Sequence, residues 1–492
     1  MENNQRLSIL EKLSYGAGDL ACNLFWGLIC MATAFYTDYF GIAPAVVGTM
    51  VLVVSCIDIA FDVIIGAIAD RHNTRWGRFR PWILFGVVPF CVIGFFTFYT
   101  PEFNDTGKVI YAYATFLLCR LMYSVVNVPY GALMGVISPD PDERTSVSAF
   151  RNIGAQIGCL CSYGMVFTLV RFIQDHLQCS GQAAFSWTAF IYAIAAFVML
   201  MCTFFFTRER VEPVKQETSK LSDDVKDLCK NKPWIMLSIA GIAMLFFVFV
   251  HNGLIPYYAK YCLADYNIVD GQEVFTVSGT LFGIKLTWEL VSTLLLASGS
   301  VFTIIGTMLI QTVVKKFGKK PTWIACFTLA SLLSLSFLVL DRSNIGTIII
   351  LNIIFTLAIG PSGYIMWSMY ADVADNAEVE TGRRATGLIY SSATMAQKLG
   401  QALANSIPAY ALAAIGFVAN TQLSPETIDS LKSYFSLLPL VGSVIGILAL
   451  VFYKIDEDTI RRNSAILEAK RAEEKNKQES NSQSVEKVEE GI

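Results

Sequence analysis

Residues 46–69 read VVGTMVLVVSCIDIAFDVIIGAIA, an apolar stretch of membrane-spanning length with two acids inside it. About 20 apolar residues in a helix cross the hydrocarbon core of a bilayer. A carboxylate near the bilayer centre costs roughly 2.5–3.5 kcal/mol on insertion scales. Asp58 and Asp62 stand four residues apart, so a helix places both on one face, where they repel unless a cation or a proton joins them. The pair is therefore a candidate ion site within a membrane.

The composition places the rest of the chain in the same environment. Of 492 residues, 54% are hydrophobic and 16% are charged, whereas soluble proteins carry about 25% charged residues. The polar start at residues 1–12 runs straight into a spanning segment, which argues against a cleavable signal peptide. The three His residues fall in separate segments and no phosphate-binding Gly-Lys-Ser/Thr loop occurs. We therefore expect no enzymatic activity, no cofactor, no ATP-driven pumping and no nucleic-acid partner.

Twelve apolar windows of spanning length follow one another along the chain. They lie near residues 13–40, 44–69, 81–100, 109–137, 147–172, 184–206, 235–260, 290–314, 321–340, 345–373, 386–416 and 433–453. Lys and Arg concentrate in alternate connections, which the positive-inside rule puts in the cytoplasm. We predict a multi-pass protein of the cell (inner or cytoplasmic) membrane, embedded in the lipid bilayer, with both termini cytoplasmic.

The longest internal polar stretch divides the spans six and six. It predicts an N-terminal six-helix bundle over residues 1–206, a cytoplasmic linker over 207–232 and a C-terminal six-helix bundle over 233–454. Residues 455–492 are rich in charge and are expected to form a cytoplasmic helix that frays into disorder. Residues 261–286 form a longer external connection, expected to cover the outer mouth.

Two loop signatures repeat at nearly one offset. Residues 76–82 read WGRFRPW and residues 317–323 read FGKKPTW, so Gly77 and Gly318 are 241 residues apart. Arg144 and Arg384, which follow the fourth and tenth spans, are 240 residues apart. Parallel six-span halves are typical of major-facilitator transporters, whose substrate site lies between the halves at mid-membrane. The predicted fold is therefore all-α, with 12 transmembrane helices in two pseudo-symmetric bundles.

The charges inside the spans are not duplicated. Asp58 and Asp62 map to uncharged residues of the second half, and Lys398 of the eleventh span maps back to Gly158. With Lys398 charged, the three groups sum to −1, which one monovalent cation or one proton would neutralise. This argues for coupling to Na⁺, Li⁺ or H⁺ and does not choose among them. A static ion pair that holds the halves together is the alternative.

Other polar residues within the spans are candidate substrate contacts. Tyr123 and Asn127 of the fourth span share one helix face, and their phenol and amide suit a polyhydroxylated ligand. Interhelical hydrogen bonding is the alternative. Further candidates are Asp19, Asn23, Arg151, His251, Tyr364 and Trp367. An interfacial role is the alternative for Arg151, and packing or an interfacial belt is the alternative for Tyr364 and Trp367.

Charged residues also cluster where spans meet the cytoplasm. We interpret them as a cytoplasmic gate that locks the loops when the inner side closes. They are Asp70, Arg71, Arg78, Arg144, Asp372, Asp375 and Arg384.

Several of these motifs resemble the glycoside–pentoside–hexuronide:cation symporters, a melibiose-carrier-like family of the major facilitator superfamily. The resemblance covers residues 10–455. Its matching stretches are KLSYGAG at 12–18, DIAFD at 58–62, RWGRFRPW at 75–82, NVPY at 127–130 and ADVAD at 371–375. It implies that Asp58 and Asp62 bind the cation and would be metal ligands if that ion is Na⁺. It assigns Ser124 to the cation site beside them.

The same resemblance implies the coupling and substrate residues. Lys398 takes the place of the family's eleventh-span lysine, Tyr123 lies near both sites, and Arg151 corresponds to the arginine that opens the fifth span. Asn23 and Asn127 stand where melibiose-type members use aspartates to bind sugar hydroxyls, so melibiose itself fits poorly. Because Asn still donates and accepts hydrogen bonds, a sugar-like ligand is still expected.

The leading hypothesis is symport of a sugar or glycoside (a pentoside, hexoside or hexuronide) with a monovalent cation. It would proceed by alternating access in a protein that functions as a monomer. One alternative is a cation-coupled symporter of a lysolipid-like amphiphile on the same fold. The other is a non-transporting membrane sensor.

Overall fold

The chain folds into two helical halves in the computed structural model. The structure describes residues 6–71, 74–138, 140–210, 231–269, 272–281, 284–340, 344–381, 386–463, 465–467 and 469. The first half comprises α1 (Ile9–Cys30), α2 (Ala32–Ala34), a π-helical turn (Phe35–Tyr39), α3 (Pro44–Arg71), α4 (Arg80–Thr97), α5 (Asp105–Val136), α6 (Pro141–Cys161), α7 (Val166–Leu177) and α8 (Gly181–Phe206).

The second half follows the same order of long helices. It comprises α9 (Lys232–Tyr257), a second π-helical turn (Tyr258–Cys262), β1 (Asp265–Val269), β2 (Gln272–Leu281), β3 (Ile284–Thr287), α10 (Trp288–Phe317), α11 (Lys319–Ser336), α12 (Ile345–Ile359), α13 (Pro361–Thr381), α14 (Thr386–Ala414) and α15 (Pro425–Phe452). Most of the predicted linker, residues 211–230, lies outside the described residues.

The helices match the predicted spans in position, with three interruptions. Within the described residues, eight helical segments are long and apolar enough to cross a membrane, or ten if two bent pairs are each one span. The first span bends by 49° after α1, and the fifth bends by 49° between α6 and α7. The tenth is divided between α12 and α13, where Pro361 lacks the N–H that a continuous helix would use. The more polar α11 and α14 lie at the predicted ninth and eleventh spans.

The connection that the sequence predicts to be external contains a small three-stranded sheet. Its strands pair antiparallel in the order β1-β2-β3, with Asp265 opposite Thr276. Phe275 of β2 packs edge-on against Tyr261, with ring centroids 5.1 Å apart. The sheet is thereby packed against the outer end of the seventh span.

The two repeated loops are built alike. Gly77 and Gly318 both adopt positive φ, at 107° and 85°. The Glu209 carboxylate accepts backbone N–H bonds from residues 78, 79 and 80 at 2.8–3.0 Å, and Glu457 accepts one from Lys319 at 3.1 Å. A Cβ on Gly77 would lie 2.5 Å from the Glu209 carboxyl group, and one on Gly318 would lie 2.8 Å from Glu457. In each half, an acid that follows the sixth span therefore caps the start of the third span.

Polar contacts join the two halves at the ends that the sequence predicts to lie outside the membrane. Asp38 of the first π-helical turn accepts a hydrogen bond from Lys260 of the second turn at 2.6 Å. Tyr261 donates to the same carboxylate oxygen at 2.9 Å, and Thr37 lies 2.7 Å from the Tyr257 hydroxyl. We call Asp38, Lys260, Tyr261 and Asn420 the outer lock, since Asn420 also bonds both Lys260 and the Asp38 carbonyl. The outer lock, so called after the predicted orientation, joins the two halves at this end.

The start of the predicted tail packs against α13 of the second half. Residues 457–463 are helical, as expected for this segment. Asn463 donates to the Asn376 side chain at 2.9 Å in a buried contact, and Leu467 is buried. The described part of the tail is therefore a docked helix rather than a free one.

Candidate cation and substrate site

Asp58 lies on α3 with both carboxylate oxygens bonded. The Arg120 guanidinium on α5 donates to Oδ2 at 2.5 Å, and the Ser124 hydroxyl donates to Oδ1 at 2.7 Å. Only 3% of the Asp58 surface is exposed. The structure thus brings Ser124 to Asp58, where the sequence predicted it.

Asp62 lies one turn further along α3 and faces the other half. Its Oδ2 pairs with the Lys398 ammonium on α14. Its Oδ1 is buried and has no hydrogen-bond partner among the described residues. The Lys398 side chain is 38% exposed, whereas that of Asp62 is 13% exposed. This pair crosses the interface between the halves, as the uneven distribution of charges indicated.

Arg120 was not among the predicted site residues. It is the single charged residue of the predicted fourth span, residues 109–137, and that isolation was the available signal. Its inclusion changes the charge count of the site. Two carboxylates with one lysine sum to −1, but with Arg120 the four groups sum to zero.

Aromatic rings lie beside Arg120 on one side of this site. The Tyr123 ring lies 5.6 Å from that of Trp26 and 6.1 Å from that of Phe90. The Arg120 guanidinium carbon lies 5.1 Å from the Trp26 ring centroid, within range of a cation–π interaction. Tyr123 thus lies beside the ion site and contributes to its wall.

The predicted substrate residues of α1 and α6 form a second ion pair. Arg151 Nε lies 3.4 Å from Asp19 Oδ1, and the Arg151 side chain is 36% exposed while that of Asp19 is 8% exposed. Asn23 donates to the Asp19 carbonyl at 2.8 Å and accepts from the Cys159 thiol at 3.3 Å. Arg151 is therefore accessible, whereas Asn23 is engaged in contacts within its own half.

The face of α5 beyond Asn127 is open. Asn127 is partly buried, and a Cβ built on Gly131, one turn further along, would meet no atom within 4 Å. In the second half, Tyr364 and Trp367 of α13 are 48% and 38% exposed. Asn127, Tyr364 and Trp367 each expose some surface to a ligand, and their role as substrate contacts stays a prediction.

The predicted role of His251 as a substrate contact does not agree with its position in the structure. It is 1% exposed, 3.3 Å from Asn352 Oδ1, and its ring lies 4.3 Å from that of Phe355 and 4.6 Å from that of Phe435. The structure places it in the packed core of the second half, where Asn352 rather than a ligand contacts its ring nitrogen.

The predicted cytoplasmic gate is only partly described. The side chains of Asp70 and Arg71 and all of Arg384 lie outside the described residues. Asp372 pairs with Lys319 of its own half at 2.6 Å. The Arg78 backbone bonds Glu209, the Arg144 backbone bonds the Asp140 carbonyl at 3.1 Å, and Asp375 is partly buried. The contacts of Asp372 and Arg78 stabilise each half separately.

The oxygen set around Asp58 and Asp62 is of the type that hard cations prefer. Within the described residues, no group of three or more His, Cys, Asp or Glu is arranged to hold a metal ion. In this arrangement cations of the protein already occupy one oxygen of each carboxylate. Two helical halves around a buried charged site of this kind define a membrane transporter of the major-facilitator class.

The chain belongs to the family described as MFS/sugar transport protein, which matches residues 14–457. It is 31% identical over 470 residues to a putative glycoside/cation symporter, YagG, of Escherichia coli K12, covering 95% of this chain and 96% of that protein. It is 28% identical over 451 residues to the isoprimeverose transporter of Lactiplantibacillus pentosus, covering 91% of this chain and 89% of that protein.

Solved structures show the same fold at low sequence identity. The nucleoside transporter NupG matches with a TM-score of 0.62 and 12% identity, over 90% of this chain and all of that chain. These comparisons confirm the predicted family, the major-facilitator fold and the class of function, which is cation-coupled sugar symport. The chain is a multi-pass membrane transporter and not an enzyme.

Proposed function

We propose that the chain moves a pentoside, hexoside or hexuronide across the cytoplasmic membrane together with one monovalent cation, by alternating access. The observation that carries this proposal is the Asp62–Lys398 pair, which joins the two halves at a carboxylate with one buried, unpartnered oxygen. A cation or proton at Asp62 competes directly with Lys398. Ion binding therefore changes a contact between the halves, which is what coupling of an ion to a rocking motion requires.

Substrate lies, in this proposal, between the halves near Arg151, Tyr123 and Asn127. The half-exposed Arg151 guanidinium offers donors to sugar hydroxyls or to a carboxylate, and the open face beyond Asn127 leaves room for a ring. Tyr364 and Trp367 supply exposed aromatic surface from the opposite half. The polar character of these groups favours a glycoside over a lysolipid-like amphiphile.

The orientation and the assembly state complete the proposal. Both termini lie in the cytoplasm, because the loops rich in Lys and Arg follow the even-numbered spans. Each chain works as a monomer, since Asp62 and Lys398 of one chain already supply the contact between halves.

Transport into proteoliposomes tests the proposal. Purified protein would be given a panel of radiolabelled pentosides, hexosides and hexuronides under separately imposed Na⁺, Li⁺ and H⁺ gradients. At least one glycoside should accumulate against its gradient, and Asp62→Asn should abolish accumulation while leaving exchange of labelled for unlabelled sugar. Asp175→Asn is the matched control, because Asp175 is an exposed acid whose ion pair, among the described residues, is with Arg171 of its own helix. Undiminished accumulation in Asp62→Asn would refute the assignment.

A further inference from the structure

The Arg120–Asp58 pair is the most completely buried ion pair at the candidate site. The two side chains are 8% and 4% exposed. Since Ser124 takes the second carboxylate oxygen of Asp58, both oxygens are engaged by groups of α5. Both partners belong to the first half, so rocking of the halves leaves this pair together.

Three helices contribute the groups that lie around the two aspartates and Arg120. From α5 come Arg120 and the uncharged titratable groups Tyr123 and Cys119. From α14 comes Lys398, and from α1 comes the uncharged Trp26, which lies against Arg120. Among these described groups, the charges of Asp58, Asp62, Arg120 and Lys398 sum to zero.

A metal cation added beside Asp58 would leave one positive charge next to Arg120 in a part of the site that is closed to water. A guanidinium does not lose its proton in proteins, so Arg120 cannot make room by becoming neutral. Lys398 differs in both respects, because its side chain is 38% exposed and an ammonium can move or lose its proton. Exchange of charge is therefore confined to Asp62 and Lys398.

We propose that Arg120 is a resident cation that fills the position at Asp58 which a metal ion would otherwise take, so that Asp58 holds no metal ion in this transporter. The proposal rests on the proposed function and confines its coupling ion to Asp62. Arg120 and Ser124 already engage both oxygens of Asp58, whereas Oδ1 of Asp62 is buried without a hydrogen-bond partner among the described residues.

Sodium binding to the purified protein, without any sugar, tests the role of Arg120. Wild-type protein should show no saturable binding of ²²Na⁺ at neutral pH that depends on Asp58. Arg120→Met, which removes the charge and retains the length, should bind about one additional Na⁺ per chain. Adding Asp58→Asn to that variant should abolish the additional binding. Arg120→Lys keeps a cation at Asp58 and should behave as wild type.

Two results would overturn the resident-cation proposal. One is saturable Na⁺ binding by wild type that Asp58→Asn removes. The other is a well-folded Arg120→Met or Arg120→Gln protein that gains no Na⁺ binding. If neither variant can be purified as a monodisperse protein, the wild-type comparison still decides, because it needs no substitution of Arg120.

Uptake in proteoliposomes, with the same glycoside panel and separately imposed Na⁺, Li⁺ and H⁺ gradients, keeps the resident-cation proposal distinguishable from the proposed function. Failure of every glycoside to accumulate would count against sugar symport, whereas the ²²Na⁺ result would stand independently of it.

Discussion

Replacing Lys260 by Met should release the outer side of the protein. Lys260 and Asp38 belong to opposite halves, and their side chains are 8% and 7% exposed. The Lys260 ammonium bonds Asp38 at 2.6 Å and Asn420 at 2.6 Å. Without it, the Asp38 carboxylate is buried in the closed state with the Tyr261 hydroxyl as its remaining side-chain donor across the interface. Opening of the outer side lets water solvate that carboxylate.

The size of the effect follows from the burial of the pair. Removing one partner of a buried ion pair costs about 3–5 kcal/mol, because the other charge remains desolvated. Tyr261 still donates one bond, so the lower end, about 3 kcal/mol, applies here. At about 1.4 kcal/mol per factor of ten, the equilibrium should shift toward the outward-open state by about a hundredfold.

Hydrogen–deuterium exchange measures this shift. The amides of residues 35–39 and 258–262, the two π-helical turns, should exchange about a hundredfold faster in Lys260→Met if opening of the outer lock limits their exchange. Lys432→Met is the control, since Lys432 bonds the Leu340 carbonyl within the second half. Unchanged exchange in Lys260→Met, or an equal increase in Lys432→Met, would show that the outer lock does not hold the halves together.

Three further substitutions should lower the stability of the repeated loops or of the second-half core, as measured by thermal unfolding. Glu209→Ala removes the acceptor of three backbone N–H bonds and should destabilise the protein by about 2 kcal/mol; an equal loss in the exposed Glu102→Ala would refute this. Gly318→Ala forces a side chain into a glycine-only backbone conformation at a cost of about 1–3 kcal/mol, while Gly346→Ala, with open space around its Cβ, should cost nothing. His251→Phe leaves a buried acceptor unbonded and should lower stability by about 1–3 kcal/mol without changing the apparent KM for the transported glycoside; a raised KM at unchanged stability would return His251 to the substrate site.

Three charged residues of the ion site could be found from the sequence alone, because a charge within a membrane span is energetically unfavourable. Asp58, Asp62 and Lys398 stood out because charged groups inside apolar spans are expensive and need partners. The positions of Gly77 and Gly318 predicted the two halves because a repeat leaves a constant offset. Both signals are local in the chain, so neither needs knowledge of which helices touch.

The missed features depend on which helices meet. Arg120 is as costly as Lys398, but only the packing of α5 against α3 shows that it pairs with Asp58. In the sequence, Glu209 and Glu457 are acids within polar connections, with no feature that distinguishes them. Only the fold places each one beside the loop whose backbone N–H groups it accepts. The sequence also suggested a substrate contact for His251 that the structure replaces with a contact to Asn352. A polar residue within a span gives the same sequence signal whether its partner is a ligand or another side chain.

The neutral charge of the ion-free site bears on how such a carrier returns empty. A symporter must change conformation when loaded or empty, and must resist doing so with the ion alone. In the empty state Asp58 is paired with Arg120 and Asp62 with Lys398, so no uncompensated charge faces the interface between the halves. An ion bound alone leaves one excess positive charge in a low-dielectric region, which opposes closure. Substrate hydroxyl or carboxylate oxygens near Lys398 would stabilise the released ammonium, and closure would then be favoured only when ion and substrate are both present.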